Sequence, residues 1–444
     1  MNPPGSERVR ETFASRMGIL ATMIGVAVGL GNVWRFPYMV GRYGGAAFVL
    51  LYFLFALFVG VPALIAEWSL GRHTRRGTVG AFHRAGFPGG KTFGWILFVG
   101  VTAATGYYCN AIGWVLFHGL SELVGFEGGV ILPPEVGFSG RAFGFQLLMT
   151  GGVIASAVFV LLRGVRGGIE RASRLLTPLL FVTLLLLILR SLTLPGSGEG
   201  LSWFILKFRP QDITAAVAMA ALGQVVFSMA LGGTFMVVYG SYLRDEDTLG
   251  TNALLTVAGD TGAGVMAGLA IFPAAFALGK EPGTGPALIF STLPEVFSSL
   301  PGGRMFGFLF FLSLGGVAFL SAVAAFEVLI AGITDNMTRT RRQATLGMAV
   351  AVFALALPPM INMRIFLPWD LTFGSGLQSA GVLLAVLTVG WAMDRAAVLS
   401  QIRQEGEGRA SGILLLWIRW VIPAAILLVG AWWFATEALP VLFG

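Results

Sequence analysis

Asn32, Arg35, Glu67, Asp260 and Glu327 lie inside long apolar runs. There a polar or charged side chain is unfavourable unless a partner or an ion compensates it. The first two belong to Gly25-Val26-Ala27-Val28-Gly29-Leu30-Gly31-Asn32-Val33-Trp34-Arg35-Phe36-Pro37, within an apolar run that begins near Met17. Three glycines and a proline loosen the backbone ladder of a helix, so this stretch predicts a break rather than a smooth span. Broken backbone in a membrane is tolerated where it is buried or lines a cavity, and its freed carbonyls and amides suit ions and the charged ends of small solutes. The chemistry is therefore binding and release. No nucleophile–base pair stands out, Cys109 is the single cysteine, and His73, His83 and His118 are too scattered for metal-ligand spacing.

The elements that must position these residues are transmembrane helices. The chain has 444 residues, 56% hydrophobic and 11% charged, with a mean hydropathy of +0.82. Runs of about 20 apolar residues recur along it, the length that crosses a bilayer. Eleven spans are expected, at about 17–40, 46–70, 92–124, 143–162, 173–194, 212–242, 250–279, 304–335, 344–360, 372–393 and 412–435. With the N-terminus placed inside, lysine and arginine on the inner segments outnumber those on the outer side about two to one. That bias predicts a cytoplasmic N-terminus and an extracytoplasmic C-terminus. It also accounts for the net charge of +7 without a nucleic-acid partner.

A second anomaly repeats the first. Gly223-Gln224-Val225-Val226-Phe227-Ser228-Met229-Ala230-Leu231-Gly232-Gly233-Thr234 places a double glycine at the middle of the sixth span. The two breaks fall at equivalent points of two five-span halves. An odd number of spans inverts one half relative to the other, and paired interruptions point to an inverted-repeat transporter with its site near the midplane. The expected organisation is an all-α membrane protein. It comprises an N-terminal segment 1–12, a first repeat 13–194, a second repeat 212–393 and an extra eleventh helix at 412–435.

At these residues the chain resembles the neurotransmitter:sodium symporter family, particularly its bacterial amino-acid members with the leucine-transporter-like fold. The resemblance rests on Ala27–Pro37, on Glu67-Trp68-Ser69-Leu70-Gly71-Arg72, on Tyr107-Tyr108, on Gly223-Gln224 with Phe227, and on Gly240-Ser241-Tyr242-Leu243-Arg244, and it covers about residues 10–395. It implies sodium-coupled import of a neutral amino acid by alternating access, in a bacterial inner membrane, by a monomer or homodimer. It also implies a first sodium site of the Ala27 carbonyl, Asn32, Ser228 and Asp260, where the carboxylate implies that chloride is not required. A second sodium site would use the carbonyls of Gly25, Val28 and Val317 with the hydroxyl of Ser321; Leu320 stands where the family commonly has threonine and offers no oxygen. One or two sodium ions are thus expected. Gly168 and Pro178 resemble the pair that lets the fifth helix unwind beside that second site.

For the substrate, the resemblance implies that Gly29 leaves room for an amino-acid carboxylate, met by sodium, by the amides of Leu30 and Gly31, and by the Tyr108 hydroxyl. Ala27, Ala104, Phe227, Met229, Ala230, Gly233, Ser321 and Ala325 complete the pocket. The small Gly233 and Ala325 suggest a bulky hydrophobic or aromatic amino acid. Arg35 and Asp370, with Gln224 and Phe227 between them, resemble an outer gate; Arg10 and Asp335, near Tyr242, resemble an inner one. Phe13 stands where the family usually has tryptophan, and Glu67 and Glu327 are expected to bond unwound backbone. A sodium-conducting channel and a transport-inactive sensor of the same fold are the alternatives.

Overall fold

The structure, a computed structural model, describes residues 13, 15–125, 132, 134–280, 282, 293–298, 302–402 and 408–439. Among these residues it is all helical, with no strand. Among the described residues, nine helices are long and apolar enough to cross a bilayer. They are α2 (Ala46–Thr74), α3 (Gly90–Val124), α4 (Gly140–Leu161), α5 (Val165–Leu192), α7 (Leu249–Ala277), α8 (Gly303–Asn336), α9 (Arg341–Met360), α10 (Met363–Ala392) and α11 (Arg409–Thr436). The remaining two are broken. Span α1 is made of Arg16–Ala27 and Gly31–Tyr43, bent by 52°. Span α6 is made of Ala215–Ser228 and Phe235–Gly240. The breaks at α1 and α6 thus open two halves of five spans, and α11 follows both.

Two boundaries differ from expectation. The segment Leu367-Pro368-Trp369-Asp370 reads as a connection between the ninth and tenth spans, but it lies within α10. A wider helical turn over Asp370–Gly376 follows Pro368 and keeps the chain helical past the ring that blocks a regular bond. The fifth helix begins at Val165, earlier than about 173, and runs through Pro178 as that span implied.

Small residues let the backbones approach. A Cβ on Gly71 of α2 would lie 1.9 Å from the Val237 carbonyl oxygen, and one on Gly240 would lie 2.6 Å from Trp68 Cα. Glycine on both sides thus sets the contact between α2 and the second half of α6. Polar side chains fasten other helices. Asn110 of α3 donates to the Ala356 carbonyl at 2.9 Å and accepts from Thr150 of α4 at 3.0 Å. Trp114 donates to Gln146 at 2.9 Å, which donates to the Met360 carbonyl at 2.8 Å. At the end of α2, Arg72 donates to the Asp247 carbonyl at 2.6 Å and to the Gln401 side chain at 2.7 Å. This arginine ties α2 to the α6–α7 turn and to the short helix Arg395–Ile402.

Because a methyl at Gly71 would collide with backbone, Gly71→Ala should destabilise the protein by about 1–3 kcal/mol. A clearly lowered melting temperature in detergent is the expected reading; an unchanged one would show that α2 and α6 can separate freely.

Candidate substrate and sodium site

The two breaks meet at the centre of the molecule and free backbone groups that neighbouring side chains take up. In α1, the Val28 amide still donates to Ile24, but the Gly29 amide turns to Asn32 Oδ1 at 3.1 Å. The Leu30 amide donates to the Tyr108 phenol oxygen, which also bonds Ser321. The Gly31 carbonyl accepts from Gln224 Nε2 at 2.8 Å. In α6, the Gly232 and Gly233 amides both donate to Glu67 Oε1 at 2.9 Å. Glu67 therefore bonds the unwound backbone.

Beside the α1 break lies a buried polar cluster. Asp260 of α7 is 0% exposed. Its Oδ1 accepts from Asn32 Nδ2 at 2.7 Å, and its Oδ2 accepts from Tyr52 at 2.8 Å and from Ser228 at 3.0 Å. All three donors are neutral, and among the described residues no Lys, Arg or His lies within ion-pair distance of it. The structure thus brings Asn32, Ser228 and Asp260 together, with the α1 break at Ala27 beside them. Tyr52 was missed; the signal available was a hydroxylated aromatic in an otherwise apolar second span. The oxygens of Asp260, Tyr52 and Ser228, joined by that of Asn32 when its amide turns from Gly29, carry one negative charge and suit a hard monovalent cation.

Next to the cluster a cavity is lined by Ala27, Gly29, Gly31, Ala104, Tyr108, Phe227, Ala230, Ser321 and Ala325. One face of α3 contributes Leu97, Val101, Ala104, Thr105 and Tyr108 at helical spacing, and α10 adds Phe373, Gly374, Leu377 and Gln378. The cavity is polar beside the α1 break and apolar beside Leu97, Val101, Phe235 and Leu377. Leu97, Tyr107 and Gln378 were not foreseen, because they come from helices without a break to mark them.

Three expected residues, Leu30, Met229 and Gly233, do not line it. Met229 is fully buried and points into α2, where a Cβ on Gly60 would lie 2.5 Å from its sulfur. Gly233 has φ +65 and faces α10, where a Cβ would lie 2.6 Å from the Gly381 carbonyl. Its small size therefore does not enlarge this cavity. Gly29 differs as well: a Cβ there would lie 2.9 Å from Ser321 Oγ and 3.0 Å from the Tyr108 hydroxyl, so the space is taken by two converging hydroxyls.

Around the expected second sodium site, Val28 and Val317 are buried, and Leu320 Cδ1 would be 2.9 Å from a Cβ on Gly25. Ser321 instead donates to the Val26 carbonyl at 3.2 Å and lines the substrate cavity.

At the expected outer gate, Arg35 lies 4.2 Å from the centre of the Phe227 ring, and its Nη1 is buried without a hydrogen-bond partner. Asp370 bonds the Tyr107 hydroxyl, and among the described residues Arg35 and Asp370 make no ion pair. At the opposite end Phe13 is buried between Tyr239 and Tyr242, with ring centres at 6.3 and 6.2 Å. Arg10 lies outside the described residues. Asp335 accepts from the Gly77 amide at 2.7 Å, and its carbonyl accepts from Arg76. Glu327 does not bond unwound backbone; it accepts from Tyr242 and from both terminal nitrogens of Arg341.

Two broken helices enclosing an amphipathic cavity beside an uncompensated carboxylate define a membrane transporter with an ion site. The chain belongs to the sodium:neurotransmitter symporter family, which matches residues 10–125 and 142–435. It is 31% identical to an uncharacterized sodium-dependent transporter, YhdH, of Bacillus subtilis (strain 168), over 96% of this chain and 98% of that protein. An uncharacterized sodium-dependent transporter of Haemophilus influenzae (strain ATCC 51907 / DSM 11121 / KW20 / Rd) matches at 31% identity over the same shares. The solved structure of MhsT in complex with L-phenylalanine superposes with a TM-score of 0.84 at 32% identity, covering 95% of this chain and 99% of that one. This chain is accordingly a sodium-dependent symporter.

Glu67 gives this site its first test. Glu67→Ala leaves two buried amides without an acceptor, at about 1–3 kcal/mol each. It should abolish substrate binding and lower the melting temperature, while Glu67→Gln, which keeps Oε1, retains both. Equal behaviour of the two variants would remove the bond from the site.

Proposed function

We propose that the chain imports a neutral amino acid with a bulky hydrophobic or aromatic side chain, together with sodium, by alternating access. The observation that carries this reading is Asp260, a fully buried carboxylate met only by Asn32, Tyr52 and Ser228. Burying an unpaired charge is unfavourable by several kcal/mol, so the site calls for a cation. Sodium is cargo here, held by Asp260, Asn32, Ser228 and the Ala27 carbonyl. The Asp260 charge balances it, so no chloride is required.

The cavity's two characters match an amino acid. Its carboxylate lies toward the cation, the Tyr108 hydroxyl and the amide end of the second half of α1, where the helix dipole favours an anion. Its side chain lies among Leu97, Val101, Ala104, Phe235, Ala325 and Leu377. The phenylalanine held by MhsT supports a side chain of that kind. Arg35 and Asp370 serve the outer lid, and Phe13 with Tyr242 and Asp335 the inner one, with the N-terminus in the cytoplasm of a bacterial inner membrane. Nothing in the site is arranged for bond chemistry, and the role is transport, not catalysis.

The test is uptake of labelled phenylalanine, tryptophan and leucine into proteoliposomes with and without an inward sodium gradient. Sodium-driven accumulation of at least one is expected; accumulation of none would defeat the reading. Asp260→Asn keeps shape and removes charge, and should raise the sodium concentration for half-maximal binding by about tenfold or more. Unchanged sodium dependence would take Asp260 out of the ion site.

A further inference from the structure

The family resemblance implies a second ion between α1 and α8, and the residues present do not fit it. Its oxygens would come from the carbonyls of Gly25, Val28 and Val317 and from hydroxyls of α8. Position 320 is a leucine, 2% exposed, and its Cδ1 lies 2.9 Å from where a Gly25 Cβ would sit. A methyl group therefore packs against the backbone that an ion would need. The neighbouring hydroxyl, Ser321, is directed elsewhere: it donates to Val26, pairs with Tyr108 and faces the substrate cavity. The other polar groups near Gly25 come from α5. Thr177 Oγ1 lies 2.8 Å and Ser173 Oγ 3.5 Å from the same Cβ position, and the Thr177 hydroxyl donates to the Ala21 carbonyl at 3.3 Å. Nor is there a carboxylate among these groups. The contrast with Asp260 is plain: one place offers a carboxylate, while at the other the α8 residue is a hydrocarbon and the hydroxyls present come from α5, that of Thr177 already bonded to Ala21.

We infer that Leu320 stands in the place of the second ion, so that each substrate is coupled to a single sodium. This rests on the symport reading above. An ion bridging α1 and α8 would hold them together only while bound. The leucine holds them by an apolar contact at every stage, so the first half of α1 can swing without waiting for an ion to leave. The chain gives up concentrating power in return.

Three measurements test this. Purified protein should bind one labelled sodium ion per chain; two would overturn the inference whatever the substrate proves to be. In proteoliposomes at zero membrane potential, equal pH and a tenfold sodium gradient, net phenylalanine flux should vanish at a substrate ratio of about tenfold, not the about hundredfold that two ions give. Leu320→Thr restores a hydroxyl and should move both readings toward two ions; Leu320→Ser serves if threonine fails to fold. Wild-type flux vanishing near a hundredfold ratio would overturn the single-ion coupling. A hydroxyl variant that folds and still binds one ion would show that Leu320 is not what excludes the second. Failure of every amino acid to accumulate would instead count against the symport reading, leaving the ion count to decide this one.

Discussion

Buried backbone amides and carbonyls freed by the two helix breaks must find partners inside the protein, and much of the architecture follows from where they find them. Glu67 of α2 takes two amides of the α6 break. Tyr108 of α3 takes the Leu30 amide, Asn32 takes that of Gly29, and Gln224 reaches back to the Gly31 carbonyl. Gln378 of α10 donates to the Val226 carbonyl at 3.2 Å. Helices from both halves are thus bonded to the breaks, so the cavity's position and polarity are fixed by the same bonds that make broken helices tolerable.

The residues expected at the two gates are held by different physics. Phe13 packs between two tyrosines, a contact that is apolar and short-ranged. Arg35 rests on the face of Phe227, a cation–π contact worth about 0.5–2 kcal/mol, while Asp370 keeps to Tyr107. Neither partner of the outer pair is committed to the other. With each held by another partner, the two are free of one another, as the outer lid proposed above would need.

Much of this was legible in the sequence, for identifiable reasons. Spans announce themselves by apolar length, and the breaks by glycine, asparagine and arginine where a helix should be smooth. The meeting of Asn32, Ser228 and Asp260 was expected from the family resemblance; the residues alone say only that a polar group in such a run needs a partner. Less legible was the direction of side chains at the breaks. Helical periodicity fails there: Ala230 has φ 49 and Gly233 φ 65, so Met229 and Gly233 turn toward α2 and α10 instead of the cavity. Asp370 was misplaced because Pro368 reads as a helix end, whereas a wider turn carries α10 past it. Tyr52 and Gln378 sit in unbroken helices, where one polar residue resembles many others.

The polar groups of the core are distributed unevenly, and that unevenness has a consequence. Beside the first half of α1, Asp260 adds a full charge to the oxygens of Asn32, Ser228 and Tyr52, enough to neutralise one monovalent cation by itself. Along the same half-helix, Leu320 offers only a methyl to the backbone at Gly25. A buried carboxylate and an apolar contact thus adjoin the same short helix. On the single-sodium reading proposed above, only the first responds to sodium concentration, and that one charged site governs the movement of α1.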